Sequence, residues 1–224
     1  MGKNKNEGAR VVPSQVKDPT LIDRRRLQIV DAAVHLFIDK GFHRTTTREI
    51  ARAAGISIGL LYEYVASKED VLYLVCDAIH AEMERGVAEA LRRAARGRDK
   101  LAAMIREYIR VCDRMSDHIL LVYQETRALP DHWRNRVLEN EVRVTEIFLS
   151  ALDDLIASGQ LPRLERKTKQ LIAHDITVFG HMWTFRRWFL ASRYTLEEYI
   201  RRQTDIILGR VLGEGRSRRT KEKK

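Results

Sequence analysis

The stretch from Thr45 to Asp70 reads TTTREIARAAGISIGLLYEYVASKED, and its residue types suit contact with phosphate and base edges. Thr45, Thr46 and Thr47 stand at an expected helix N-terminus, where unpaired N–H groups and hydroxyls favour a phosphate oxygen. Arg48 falls in the first turn, within reach of a phosphate or a base edge. Ile56, Leu61 and Val65 recur at five- and four-residue spacing and form the expected packed face. Ser57, Gly59, Leu60, Tyr62 and Tyr64 then remain for a groove and its flanking phosphates. Gly59 lets a backbone approach closely. Lys68 opens the next helix and suits a phosphate backbone. Bland roles compete at some of these positions. Thr46 and Ser57 also cap helices, which is compatible with phosphate contact. Tyr62 is alternatively a core aromatic and Tyr64 a surface one. Glu63 either accepts from a cytosine N4 or points to solvent.

Elsewhere the residues argue against catalysis. Ser14-x-x-Lys17 lies in a segment with no sign of packing. His174 and His181 are seven apart, about 10 Å along a helix axis, too far for easy chelation of one metal. His118 and His132 would join them only through tertiary structure. We therefore expect no catalytic group, no metal and no cofactor. Residues 171–190, LIAHDITVFGHMWTFRRWFL, carry aromatics around nearly the whole helix, so more than one side must be buried. The simplest arrangement turns one side to an internal cavity and the other to a second subunit; a thick monomeric core is the alternative. Candidate pocket residues are Tyr108, Tyr123, Gln124, Arg127, His174, Asp175, Phe179, His181, Trp183 and Arg186. Arginines beside aromatics suit an amphipathic, anionic ligand. A neutral aromatic or drug-like ligand needs the aromatic lining alone.

The elements that must position these groups read as helices. Leu21 to Lys40 shows three- and four-residue apolar spacing and ends before Gly41. Thr46-x-x-Glu49 is a capping box that starts a helix at Thr47, Ser57 caps a second over Ile58–Tyr64, and Ser67-x-x-Asp70 opens a long third from Lys68 to about Ala95. Further helices are expected at about 98–115, 117–128, 131–158, 163–191 and 196–212, broken at Pro130 and at Gly159-Gln160-Leu161-Pro162. The fold class is all-α, with about nine helices. Residues 1–19 read as a disordered tail, 20–67 as a helix-turn-helix domain, 68–213 as a larger helical domain that binds ligand and dimerises, and 214–224 as a basic disordered tail.

Charge agrees with that division. Of the net +10, residues 1–68 hold 12 Lys/Arg against 7 Asp/Glu, and residues 214–224 hold 6 against 2. A basic N-terminal third suggests a polyanion partner, whereas a basic tail alone can be merely solubilising. No apolar run approaches the roughly 18 residues that span a bilayer. The first twenty residues have no apolar core of a secretion signal, and two cysteines make no disulfide framework. A reduced cytoplasmic setting fits.

The pattern of Thr-rich helix start, Ile-Ala, Ala-Gly-Ile-Ser turn, Gly-x-Leu-Tyr-x-Tyr and Ser-Lys-Glu resembles the TetR family of bacterial transcriptional regulators. Leu36-Phe37-Ile38-Asp39-Lys40-Gly41-Phe42 ahead of it fits as well, so the likeness spans roughly residues 24–75. It implies DNA-facing roles for Thr46, Ser57, Gly59, Tyr62, Tyr64 and Lys68, and a palindromic double-stranded operator bound by a homodimer. It also implies that helices 163–191 and 196–212 pair with their mates at the dimer interface, and that a small-molecule effector releases a repressor from DNA. Ile58 and Leu60 are more apolar than the family pattern. Tyr123-Gln124-Glu125-Thr126-Arg127 and Arg186-Arg187-Trp188 look similar to family members that sense acyl-CoA thioesters. A body serving as an adaptor for a protein partner, or as an enzyme with a DNA-binding appendage, is the alternative.

Overall fold

The computed structural model describes residues 12–93 and 98–212, and among them lie ten α-helices, one 3-10 turn and no strand. The all-α expectation holds. Of the tail expected over 1–19, residues 1–11 lie outside the described residues, as does the tail expected over 214–224. The helices divide between two compact units: one runs to Val75 and takes in Arg127–Trp133, the other comprises Cys76–Thr126 and the chain from Arg134 onward.

The first unit contains α1 (Pro19–Lys40), α2 (Thr47–Ala53), α3 (Ile58–Tyr64) and the start of α4 (Lys68–Arg93). Asp18 caps α1 by accepting from Thr20 N at 3.0 Å, and Pro19 occupies the first turn, where its missing N–H costs nothing. Ile29, Val30, Ala33 and Phe37 bury one face of α1, and Ile50 and Leu61 meet them from α2 and α3. Residues 12–18 are not a free tail. Val12 is buried, the Ser14 hydroxyl and the Gln15 N–H both donate to Glu63 O, and the Arg26 guanidinium donates to Pro13 O and Tyr64 O. The charge of Arg26 is thereby matched by main-chain acceptors that a polar-looking segment supplies. Trp133 belongs to this unit because its indole stacks on Tyr73 with ring centroids 4.0 Å apart and donates to Asp70 Oδ1 at 2.8 Å.

The second unit contains the rest of α4, then α5 (Arg98–Arg114), α6 (Ser116–Glu125), most of α7 (Asp131–Ala157), α8 (Arg166–Phe185), α9 (Arg187–Leu190) and α10 (Leu196–Leu212). The 3-10 turn Thr126–Ala128 follows α6. Helix α8 packs on α5, α6 and α10. The close approach to α5 needs Gly180, since a Cβ there would stand 2.5 Å from the Tyr108 ring and 2.8 Å from Cys112 Sγ. The single helix expected over 163–191 is two: Glu165 is extended, and Arg186, at φ −113° and ψ 23°, separates α8 from α9. No Gly or Pro marks that break in the sequence, which is why periodicity alone ran through it. Burial pushes the thiols of Cys76 and Cys112 up to about 12, so both are inert apolar packing groups.

Candidate functional site

Two sites emerge, one in each unit. In the first unit the capping box of α2 forms as expected. Thr46 N donates to Glu49 Oε2 at 2.9 Å, and Glu49 N donates to Thr46 Oγ1 at 3.3 Å. Lys40 Nζ stands 2.5 Å from Glu49 Oε1, and these bonds hold the carboxyl down at about 2. Helix α2 ends in a Schellman turn: Gly55 at φ 66° donates to Arg52 O, and Ile56 N donates to Ala51 O. That turn sets the entry of α3, whose cap Ser57 accepts from Leu60 N at 3.1 Å. Thr47 and Tyr62 join the two helices through a 3.1 Å hydroxyl–hydroxyl bond.

The exposed members of this surface are Thr46, Arg48, Ser57, Gly59 and Tyr62, with Thr47 and Leu60 half-buried. A Cβ at Gly59 would meet nothing closer than Ser57 Oγ at 3.9 Å, so packing within this chain does not demand glycine there. Two expected members, Thr45 and Tyr64, are buried, and Lys68 is half-buried with its ammonium bonded within the chain. Thr45 is 1% exposed, and its hydroxyl donates to Gly41 O at 2.9 Å, closing the turn after α1. Tyr64 is buried in the core. Lys68 Nζ donates to Phe42 O at 2.9 Å and Thr45 O at 3.0 Å and lies 4.2 Å from the centroid of the Phe42 ring. It clamps the carbonyls of the α1–α2 turn. Side-chain direction at these positions follows from the packing of α1, which spacing within α2 and α3 does not reveal.

In the second unit a cavity of about 20 Å³ lies among α4, α5, α6, α7 and α8. Its apolar wall includes Ile79, Met83, Ile119, Val122 and Val144, and its polar wall His80, Tyr108, Tyr123, Glu141, Thr177 and His181. Tyr123 donates to Glu141 Oε1 at 2.7 Å. Its oxygen therefore accepts from His181 Nδ1, 3.0 Å away. Burial lowers the His181 imidazole to about 4, so at neutral pH the ring is neutral. Its Nε2 then accepts from the Tyr108 hydroxyl at 2.9 Å. Protons thus point one way along the chain, from Tyr108 through His181 and Tyr123 to the Glu141 carboxylate. The same burial raises both tyrosine hydroxyls above their usual range.

The structure brings together three of the ten pocket candidates: Tyr108, Tyr123 and His181. Gln124, Arg127, His174 and Arg186 are exposed, Asp175 is half-buried, and none of the four lines the cavity, nor does Asp175. Neither Phe179 nor Trp183 lines the cavity: Phe179 offers its main-chain carbonyl to the Tyr199 hydroxyl, and the Trp183 indole donates to Asp113 at 2.8 Å. Arg186 stacks on Trp188 and Phe189, Arg187 pairs with Asp113, and Arg193 lies over Phe189. The arginine cluster is a surface feature. Sequence reasoning missed His80, Glu141 and Thr177. The only available signal was His80 beside Ile79 and one turn before Met83, a polar residue on an apolar helix face. Apolar side chains also stay exposed on the last helices: Leu171 at 60%, Trp188 at 72% and Ile206 at 47%.

Residues 29–73 match the family model of bacterial regulatory proteins of the tetR family, and residues 94–211 match a tetracyclin repressor-like C-terminal domain. The HTH-type transcriptional regulator HbdR of Aromatoleum sp. (strain CIB) is 29% identical over 192 residues, 86% of this chain and 82% of that protein. The fatty acid metabolism regulator protein of Bacillus subtilis (strain 168) is 27% identical over 136 residues, 59% of this chain and 66% of that one. The crystal structure of AibR in complex with isovaleryl coenzyme A and operator DNA shares the fold, with a TM-score of 0.64 at 20% identity over 81% of this chain and 97% of that one.

Proposed function

Because this chain belongs to the TetR family of bacterial regulatory proteins, we propose that the exposed surface of α2 and α3 is its operator-reading face and that the cavity of the second unit is its effector site. The protein is a DNA-binding, ligand-responsive transcriptional regulator, and no helix among its described residues is long and apolar enough to cross a membrane. The observation that carries the operator assignment is the joined pair Thr47–Tyr62, which presents a rigid two-helix face flanked by Arg48 and Ser57. Arg48 and Thr46 meet phosphates, and Tyr62 and Gly59 approach the groove. A dimer closed through about 163–212 places two such faces on a palindrome, and Leu171, Trp188 and Ile206 supply its apolar contacts.

Helices α4 and α7 are both shared by the two units, so they are the elements through which effector binding biases operator affinity. The effector must bind the two states of the protein unequally, since equal affinity shifts nothing. A repressor released by an acyl-CoA thioester is the reading that the relatives favour: one is named for fatty acid metabolism, and another was solved with isovaleryl coenzyme A. The end of the acyl group, not the nucleotide, is then the part that enters the cavity, because none of the lining residues is an arginine and the room admits only a small group. A neutral aromatic effector is the second reading, favoured by that same lining.

The test is operator binding by fluorescence anisotropy across a salt series. Arg48→Ala should weaken binding to all sequences alike and lower the salt slope by about one unit, as loss of one phosphate contact requires. An unchanged slope and affinity, with Tyr62→Ala equally silent, would refute the operator-face assignment.

A further inference from the structure

The cavity's hydrogen-bond protons are all committed, and what faces its interior is acceptor capacity. Tyr108 donates to His181, His181 to Tyr123, and Tyr123 to Glu141. The Thr177 hydroxyl donates to His174 O at 2.8 Å. His80 lies 4% exposed on the lining, and its Nδ1 is 2.8 Å from Cys76 O. A carbonyl only accepts, so Nδ1 carries the proton. Burial favours the neutral ring, and Nε2 is left with a lone pair. Glu141 keeps a second carboxylate oxygen. A carbonyl, carboxylate or phosphate oxygen placed here would find no donor and would face a carboxylate. A buried acceptor without a partner is costly, whereas a hydroxyl or amine would be satisfied on arrival. The volume agrees: about 20 Å³ is room for one small polar group of the size of a water.

We propose that the effector moiety seated in this cavity is a hydrogen-bond donor on an apolar body, a hydroxyl or amino group received by His80 Nε2 and Glu141, and that the site rejects acids and bare carbonyls. This rests on the reading of the cavity as the effector site. If the effector is a thioester, its acyl group carries that hydroxyl or amine, and the thioester carbonyl stays outside.

The probes are phenol, toluene, acetophenone and benzoate, matched in body and differing in donor, none, acceptor and anion. Binding to the full chain is followed by the His80 and His181 ring resonances and by Tm. Phenol should bind at least about tenfold more tightly than the other three, as expected when one buried polar group is satisfied in one case only. His80→Leu should abolish that preference. Glu141→Gln places an amide donor on the lining and should narrow the gap between phenol and acetophenone; it decides the matter if His80→Leu loses its helical far-ultraviolet spectrum. Equal binding of benzoate or acetophenone and phenol, or an undiminished preference in both variants, would overturn the donor assignment while leaving the cavity a binding site. If none of the four moves the resonances or Tm, the effector-site reading falls and the donor assignment with it.

Discussion

Acid should loosen the second unit through His181, and the size of the effect follows from its burial. The imidazole falls from an ordinary 6.5 to about 4 because desolvation opposes its charge; His80 and His174 oppose it further, and Glu141 alone favours it. A depressed histidine binds its proton more readily in the unfolded chain than in the folded one. Its contribution is therefore complete above pH 6.5 and is lost as pH falls toward the folded value. Between pH 7.5 and 5.0 those two values give a loss of about 2 kcal/mol. The control is His181→Gln, whose amide can accept from Tyr108 and donate to Tyr123 but does not titrate. Urea unfolding followed by far-ultraviolet circular dichroism at both pH values gives the comparison. Wild type should lose about 2 kcal/mol more than the variant over that interval. His80, also lowered by burial, is present in both proteins and cancels. Parallel pH profiles would refute the claim that His181 is held neutral by burial.

Gly180→Ala drives a methyl to within 2.5 Å of the Tyr108 ring, so it should cost about 1–3 kcal/mol and lower Tm in a thermal scan. Trp133→Phe keeps an aromatic against Tyr73 but leaves Asp70 Oδ1 short of its indole donor; urea unfolding should register a loss of about 1–3 kcal/mol. Leu171→Asp puts a charge on an apolar face we assign to the dimer. Sedimentation at micromolar concentration should then show monomer where wild type shows dimer.

What the sequence displayed best was local. The capping boxes of Thr46 with Glu49 and Ser67 with Asp70 both form, because each needs only its own turn. Gly55 was legible for the same reason. Exposure on the α2–α3 surface was half legible. Tyr62 and Tyr64 are two apart on one short helix, and only the position of α1 decides that Tyr64 goes inward while Tyr62 stays out. The cavity was legible in its aromatics and not in its acceptors. His80 and Glu141 sit on helices whose sequence shows ordinary amphipathic polarity. Their place on the cavity depends on a network joined across the chain: Tyr123 meets Glu141 across 18 residues, and His181 meets Tyr108 across 73 and Tyr123 across 58. The role of the arginines was not legible, because arginine beside aromatics describes a stacked surface cluster as well as a phosphate mouth.

Asp70 serves two segments at once. One of its carboxylate oxygens holds the N–H groups of Ala66 and Ser67 at the start of α4, and the other holds the Trp133 indole, 63 residues downstream. The DNA-binding unit is therefore discontinuous in the chain. During synthesis it cannot complete its core until Trp133 has left the ribosome, by which time α5 and α6 have already emerged. A chimaera made by joining residues up to Val75 to another protein's effector body would remove the Trp133 indole that stacks on Tyr73 and donates to Asp70. Exchange of sensor and reader between regulators of this architecture must carry the Arg127–Trp133 segment with the head, as a graft of two pieces rather than one.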